Sequence, residues 1–276
     1  MSTVTEGGAR SAAASRIPVL LYHAVMDEPP RWIAEFTVTP RQFAAQLDVI
    51  RDSGRTPVTV GALAAHFAGT APLPPRPVVL TFDDGFADLP GRTAEALAAR
   101  ALPATAYLTT GAITPRGRSL LPPAPMMPLG QARILEEYGI EVGGHTVSHP
   151  QLDTLAGAAL RRELTQSKAE LEDALGHRIR HLAYPHGYNS PAVRRAARAA
   201  GYATGAAVRH AFSSERDESY RIARLIVRRR HTLADVAAWM RGEGARAAPY
   251  NDAPRTVGWR FYRRTRAWVK GPVFAG

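Results

Sequence analysis

Short, continuously apolar runs alternate with longer amphipathic stretches along this chain. The runs at Ile17–Tyr22, Pro77–Phe82, Ala104–Thr109, Ile140–Gly143, His181–Tyr184, Ala203–Val208 and Arg221–Val227 are rich in β-branched or aromatic residues. They show little of the polar alternation expected of a strand with one face in water, so they read as strands buried on both faces. Helical patterns lie between most of them. Thr39-Pro40-Arg41-Gln42 looks like a capping box with proline at the first helical position, Phe43, Leu47 and Ile50 repeat at helical spacing, and Gly54 stops the helix. Residues 157–175 place Leu160, Leu164, Leu171 and Leu175 on one face, Ser190-Pro191 opens a further helix that Gly201 ends, and Thr232 to Asp235 begins a last one. Seven strands alternating with helices predict an α/β fold with a parallel sheet, curled into a distorted, TIM-like (β/α)7 barrel. In such barrels the chemistry gathers where the strands end.

Length and composition fit that picture. The chain has 276 residues and 45% apolar content, enough for one large core. We divide it into a flexible segment 1–16, a barrel 17–245 and a basic, aromatic-rich extension 246–276. Ile113 to Pro128 is proline-rich and reads as a loop over the barrel mouth. No stretch has the apolar core of a signal peptide or the ~20 apolar residues of a membrane span, so the simplest expectation is a soluble cytoplasmic protein.

Charge adds a partner class. The formal net charge is +11, nearly all of it from arginine, and there is no cysteine to ligate metal or form disulfides. A basic surface favours anionic partners. No helix-turn-helix, zinc-finger or RNA-binding signature accompanies the charge, so nucleic acid is not the expected partner. The extension carries Arg255, Arg260, Arg263, Arg264, Arg266 and Lys270 interleaved with Trp259, Phe261, Tyr262, Trp268 and Phe274. This pattern suits a tail meeting an anionic membrane surface. It equally suits a helix that packs its aromatics on the barrel and leaves its arginines in water.

The candidate chemistry lies where predicted strands end. Asp83-Asp84 follows one strand and His145-Thr-Val-Ser-His149 another. Alone, the first is an ordinary turn sequence and the second an ordinary pair of packing histidines. Together, two imidazoles and a carboxylate make an open site for a borderline divalent metal, zinc above all, with cobalt, nickel or manganese also fitting. The second carboxylate could take a proton from a water held there.

Thr81-Phe-Asp-Asp-Gly85, His145-Thr-Val-Ser-His149 and Tyr184-Pro185-His186-Gly187, in this order, resemble the three motifs of the polysaccharide deacetylases, carbohydrate esterase family 4, with its NodB-homology domain. The third motif and the opening Leu20-Leu-Tyr-His-Ala24 resemble the poly-N-acetylglucosamine deacetylase branch. The likeness runs from about Ile17 to about Met240. It implies a seven-stranded distorted barrel, a metal held by Asp84, His145 and His149, and Asp83 as general base. It also implies an oxyanion donor on the backbone near His186, in a turn stiffened by Pro185. The general acid that protonates the departing amine would be His23, with His186 and His231 as competitors. Tyr184, Pro185, Tyr188 and Arg224 are the candidate substrate contacts.

Two departures from the family pattern stand out. Ala183 occupies the position where most members carry the arginine that orients the base, and Arg224 is the candidate to supply that guanidinium. His186 replaces the usual aromatic residue after the proline. The expected reaction is hydrolysis of the N-acetyl group of an N-acetylhexosamine, GlcNAc foremost, in a glycan or glycoconjugate. The alternatives are a deacetylase of a small N-acetylated amino-sugar conjugate and a non-catalytic glycan binder.

Overall fold

Val19, Leu20 and Leu21 offer no polar side chain to turn outward, and the Tyr22 hydroxyl is satisfied inside by Gln46 Oε1. In the computed structural model these residues form β1 (Val19–Tyr22), buried on both faces. The structure describes residues 16–250, apart from Arg116 and Ala156, and residues 258, 259, 262, 263 and 265–267. All of the expected N-terminal segment except Arg16, and most of the expected C-terminal extension, lie outside the described residues.

Six of the other strands continue the apolar pattern: β3 (Pro77–Phe82), β4 (Ala104–Leu108), β5 (Ile140–Gly144), β6 (His181–Ala183), β7 (Thr204–Ala206) and β8 (Leu225–Ile226). Every pairing is parallel, in the order β7-β6-β5-β4-β3-β1-β8. The segment ending in β8 joins the two sides of the curl. Ile222 exchanges hydrogen bonds with Gly205 and Ala207 beside β7, and Leu225 and Ile226 pair with β1. One strand was not expected. The short β2 (Thr56–Val58) pairs with the first half of β3. Three residues centred on a proline give no periodic signal.

Helices cover the sheet: α1 (Pro40–Asp52), α2 (Val60–Phe67), α3 (Ala94–Ala98), α4 (Thr110–Ile113), α5 (Ala132–Glu137), α6 (Gly157–Leu175), α7 (Pro191–Ala199) and α8 (Leu233–Arg241). Thr39, Ser190 and Thr232 cap their helices as their sequences suggest. The box at Thr39 is only half built. Thr39 accepts from Gln42 N, but the Gln42 side chain donates instead to the carbonyls of Arg229 and His231. The full reciprocal box is at Thr232 and Asp235.

Alternation along the strands sorts the core into two shells. Leu20, Leu80, Phe82, Ala104 and Leu108 face the helices. Val19, Val79, Tyr107, Ala183 and Ala206 fill the barrel interior. Each fully buried leucine of the outer shell contributes roughly 1.5–3 kcal/mol. Because all strands run the same way, the residues following β1, β3, β5 and β6 emerge at one rim. No helix among the described residues is long and apolar enough to cross a membrane.

Candidate active site

Asp83 leaves β3 still bonded to its neighbour, its N–H donating to Tyr22 O at 3.0 Å. Its side chain meets the guanidinium of Arg224 in two parallel hydrogen bonds of 2.7 and 2.8 Å. Arg224 is fully buried, donates from Nε to Ala207 O and from Nη1 to Thr81 Oγ1, and lies against the Tyr107 ring. Strand alternation would send the next side chain to the opposite face. Asp84 has φ of 76°, which breaks the alternation and keeps both carboxylates at the rim.

The second strand end is built to match. His145 Nδ1 lies 2.8 Å from Ala183 O. A carbonyl can only accept, so Nδ1 carries a hydrogen, and Nε2 is the ring nitrogen turned toward Asp84. The loop beyond it is held from α6. Glu163 accepts from Val147 N, Ser148 N and Ser148 Oγ at 3.0, 2.9 and 2.6 Å. His149 is brought back to the rim at φ of 60°, with Thr146 at 69°. Asp84, Thr146, His149 and His186 are four of the seven non-glycine residues with positive φ among the described residues. Local strain is thus concentrated where the motifs are, as expected where side-chain aim outweighs backbone comfort.

His145 Nε2 and His149 Nε2 stand 3.4 and 3.3 Å from Asp84 Oδ1, a buried oxygen that accepts no hydrogen bond. The three ligand atoms lie within 4.8 Å of one another. Two imidazole nitrogens and one carboxylate oxygen, buried and convergent, fit a divalent cation with open positions. His145 Nε2 is also 3.8 Å from Asp83 Oδ2, so the second carboxylate borders the same point.

Electrostatics follow from burial and these neighbours. Burial pushes the Asp83 carboxyl up, but Arg224 and His145 outweigh it and hold it below its ordinary value. The same contest at Asp84 ends well below, through His149 and His145. At His145 burial pulls the pKa down, and Asp83 and Asp84 more than restore it. Burial wins at His23, against the pull of Asp84 and Asp83, and wins further at His186, where His149 adds to it.

These groups open into a cavity of about 420 Å³. His23, Asp83, Asp84, His145, His149 and His186 all line it. His23 Nδ1 is buried without a hydrogen-bond partner, and the His186 ring lies 4.7 Å from that of His149. His231 is elsewhere, half-exposed against His210 and Trp239.

None of the four expected substrate contacts lines the cavity. Tyr184 is fully buried, donates to Tyr220 O at 3.0 Å, and fills the space a Cβ at Gly205 would need. Pro185 is buried in the turn, and Arg224 is committed to Asp83. Tyr188 points away under Arg263, whose guanidinium carbon is 3.2 Å from its ring centroid. For Tyr188 the cause is the turn itself. His186 has φ of 56° and Gly187 φ of 75°, so the alternation counted from β6 stops at Pro185. A Cβ at Gly187 would come within 2.4 Å of Val208 N.

The cavity walls come from residues the sequence did not single out: Trp32, Phe36, Leu121 and Arg228, the last paired with Glu35. Leu121 sits on the proline-rich loop expected over the mouth, and Trp32 Nε1 donates to Pro123 O in the same loop. Arg228 opens a run of three arginines that reads as solvated surface, and Trp32 lies in an aperiodic loop, so neither carries a pattern.

Comparison with known proteins agrees with this geometry. The model of the polysaccharide deacetylase family matches residues 70–205, which include Asp83, Asp84, His145, His149 and His186. The Bacillus subtilis (strain 168) protein YxkH is 21% identical over 213 residues, 77% of this chain and 72% of its own. The Streptococcus pyogenes deacetylase PplD, solved in complex with acetate, superposes with a TM-score of 0.72 at 23% identity, over 82% of this chain and 99% of that one. IcaB from Ammonifex degensii gives 0.68 at 25% identity, over 82% and 97%. Residues 70–205 thus carry a polysaccharide deacetylase domain.

Proposed function

We propose that this protein hydrolyses the N-acetyl group of an N-acetylhexosamine, GlcNAc foremost, in a glycan or glycoconjugate, with a divalent metal at Asp84, His145 and His149. The observation that carries the reading is the convergence of those three ligands with the Asp83–Arg224 pair at the floor of one cavity. A bound ion, zinc in our reading with cobalt, nickel or manganese as substitutes, would make water acidic enough to attack near neutrality and would polarise the acetamide carbonyl.

The chain's own residues divide the remaining work. Asp83 takes the proton from the attacking water, and Arg224 keeps it ionised and aimed. A backbone N–H in the Pro185–His186 turn donates to the oxyanion as the water oxygen bonds the carbonyl carbon. The C–N bond then breaks, and His23 gives a proton to the leaving amine. We prefer His23 to His186 for this step because Asp84 and Asp83 oppose burial there more than Arg224 and His145 add to it, whereas at His186 Asp84 alone opposes burial and His149 reinforces it more strongly. Trp32 and Phe36 offer apolar faces on which a pyranose ring can rest.

A small N-acetylated amino-sugar conjugate is the alternative substrate, and a glycan binder without turnover the alternative role. Acetate release from N-acetylglucosamine oligomers and from monomeric amino-sugar conjugates separates the three. Release from oligomers supports the proposal, and release from monomers alone selects the small conjugate. Binding without release by the zinc-loaded protein selects the non-catalytic role.

We further propose that the extension meets an anionic membrane through Trp259 and Tyr262, which stack at 5.3 Å and stand 51% and 53% exposed. Flotation with anionic liposomes, lost in the Trp259→Ala/Tyr262→Ala variant, is the expected result. Unchanged flotation would end that idea.

A further inference from the structure

Among the described residues of the extension, two aromatics stand in water and one arginine is buried, while Arg266 is exposed. Trp259 and Tyr262 are exposed, while Arg263 is 4% exposed. Its guanidinium makes two hydrogen bonds to Asp153, at 3.0 and 2.8 Å, and a longer one to Gln151. Its guanidinium carbon also lies over the Tyr188 ring, 3.2 Å from the centroid.

These partners belong to two different loops. Gln151 and Asp153 follow the metal-ligand candidate His149 through Pro150, with Asp153 in the short turn Leu152–Thr154. Tyr188 follows His186 by two residues, its ring 5.9 Å from the His186 ring. His186 in turn stacks edge-on against His149. One guanidinium therefore spans the outer side of two loops whose inner side chains touch in the cavity.

A buried arginine–carboxylate pair is a weak source of net stability, because both charges lose their water; what a planar, bidentate pair fixes well is geometry. The aromatic contact fixes the second loop through the same planar group.

We propose that Arg263 is a positioning residue of the deacetylase site. Reaching in from the C-terminal extension, it sets the spacing between the His149 loop and the His186 turn without touching substrate. The proposal rests on the function proposed above for its kinetic consequence, but not for its structural one. It carries the working site past Arg224 into the C-terminal extension.

The test uses the full chain and three variants. Arg263→Met removes the guanidinium. Arg263→Met/Asp153→Leu leaves no buried charge behind, so that folding survives if the single variant is impaired. Arg263→Lys keeps the charge but cannot bond both carboxylate oxygens while lying over the Tyr188 ring. Hydrogen exchange of the metal-free protein is expected to rise at least tenfold in both 147–153 and 185–190 in the double variant. With zinc loaded at unchanged stoichiometry, kcat on N-acetylglucosamine oligomers should fall tenfold or more at similar Tm. Arg263→Lys should recover Tm more fully than kcat. Wild-type exchange in either segment, or wild-type kcat in a folded double variant, would overturn the proposal and reduce Arg263 to an anchor for the extension. If the wild-type protein releases no acetate at all, the functional reading fails, while the exchange data still decide whether the clamp exists.

Discussion

Arg224 and Asp83 stand 141 positions apart in the chain, yet share two parallel hydrogen bonds of 2.7 and 2.8 Å beneath the cavity floor. The guanidinium reaches Asp83 from the segment that closes the barrel. On the proposed function it takes the place of the arginine that the third motif lacks at Ala183, whose carbonyl instead meets His145 Nδ1. Both oxygens of Asp83 are thereby fixed, and its ionised form is favoured inside a buried site.

Arg224→Met should therefore cost both stability and turnover. Removing one partner of a buried pair typically costs about 3–5 kcal/mol. We expect a marked drop in Tm and a fall in kcat of about 100-fold or more, the order seen when a charged group's orientation is lost. Arg224→Lys should recover part of the stability and little of the rate. Thermal melts and acetate release measured on the same preparations check this; a folded Arg224→Met protein with unchanged kcat would show that Asp83 needs no orienting partner.

Glu163 holds the second-motif loop by accepting from two backbone N–H groups and the Ser148 hydroxyl. Its loss frees the loop that aims His149. Glu163→Ala should weaken zinc binding by roughly 10–100-fold, in line with the loss of groups that orient metal ligands. Competition with a chelator measures it. Affinity equal to wild type would mean that the strained backbone at Thr146 and His149 holds by itself.

Asp88 links the loop after His23 to the rest of the rim by accepting from Val25 N and Thr93 Oγ1. Burial raises its pKa to about 6. The folded state thus holds its proton more tightly than the unfolded chain, so its contribution is complete below about pH 4 and is lost as pH rises through 6. The full swing is on the order of 2–3 kcal/mol. Asp88→Asn, which can still accept both bonds, should flatten the stability profile between pH 4 and 6.5 and gain relative to wild type at pH 7. Urea melts across that range test it, and parallel profiles for the two proteins would refute the assignment.

Gly187→Ala places a Cβ against Val208 N at a φ of 75°. The left-handed backbone alone costs an L-residue about 1–2 kcal/mol, and the clash adds to it. The turn carrying His186 must then move, so kcat should fall more than KM changes. Steady-state kinetics beside a melt distinguish this from simple destabilisation, which would lower the active fraction and leave kcat per folded molecule intact.

How much of this was legible depended on whether a residue acts within its own segment. The strands were readable because burial on both faces removes the polar positions, and the helices because Thr39, Ser190 and Thr232 cap them locally. Asp83, Asp84, His145 and His149 were readable as a group because each pair ends a strand and all strands end at one rim. Tyr188 does not reach the cavity because positive φ at His186 and Gly187 turns the chain beyond Pro185, and Tyr184 does not because its hydroxyl is spent inside the sheet on Tyr220 O. Glu163 left no trace, and Arg263 stood out only as one of several basic residues of the extension. On a helix face or in a basic run they look solvated, and only the fold shows that each side chain is turned onto a loop carrying a metal-ligand candidate. Arg224 was visible as a candidate guanidinium, but its choice between substrate and Asp83 waited on the barrel closing.

The most direct test of the central claim is acetate release from N-acetylglucosamine oligomers by chelator-stripped protein, before and after zinc is restored, beside Asp83→Asn with its zinc content measured. The account predicts no release without metal, recovery with zinc, and an Asp83→Asn protein that binds zinc in full yet releases no acetate. Release by the stripped protein, or by Asp83→Asn at the wild-type rate, would contradict it.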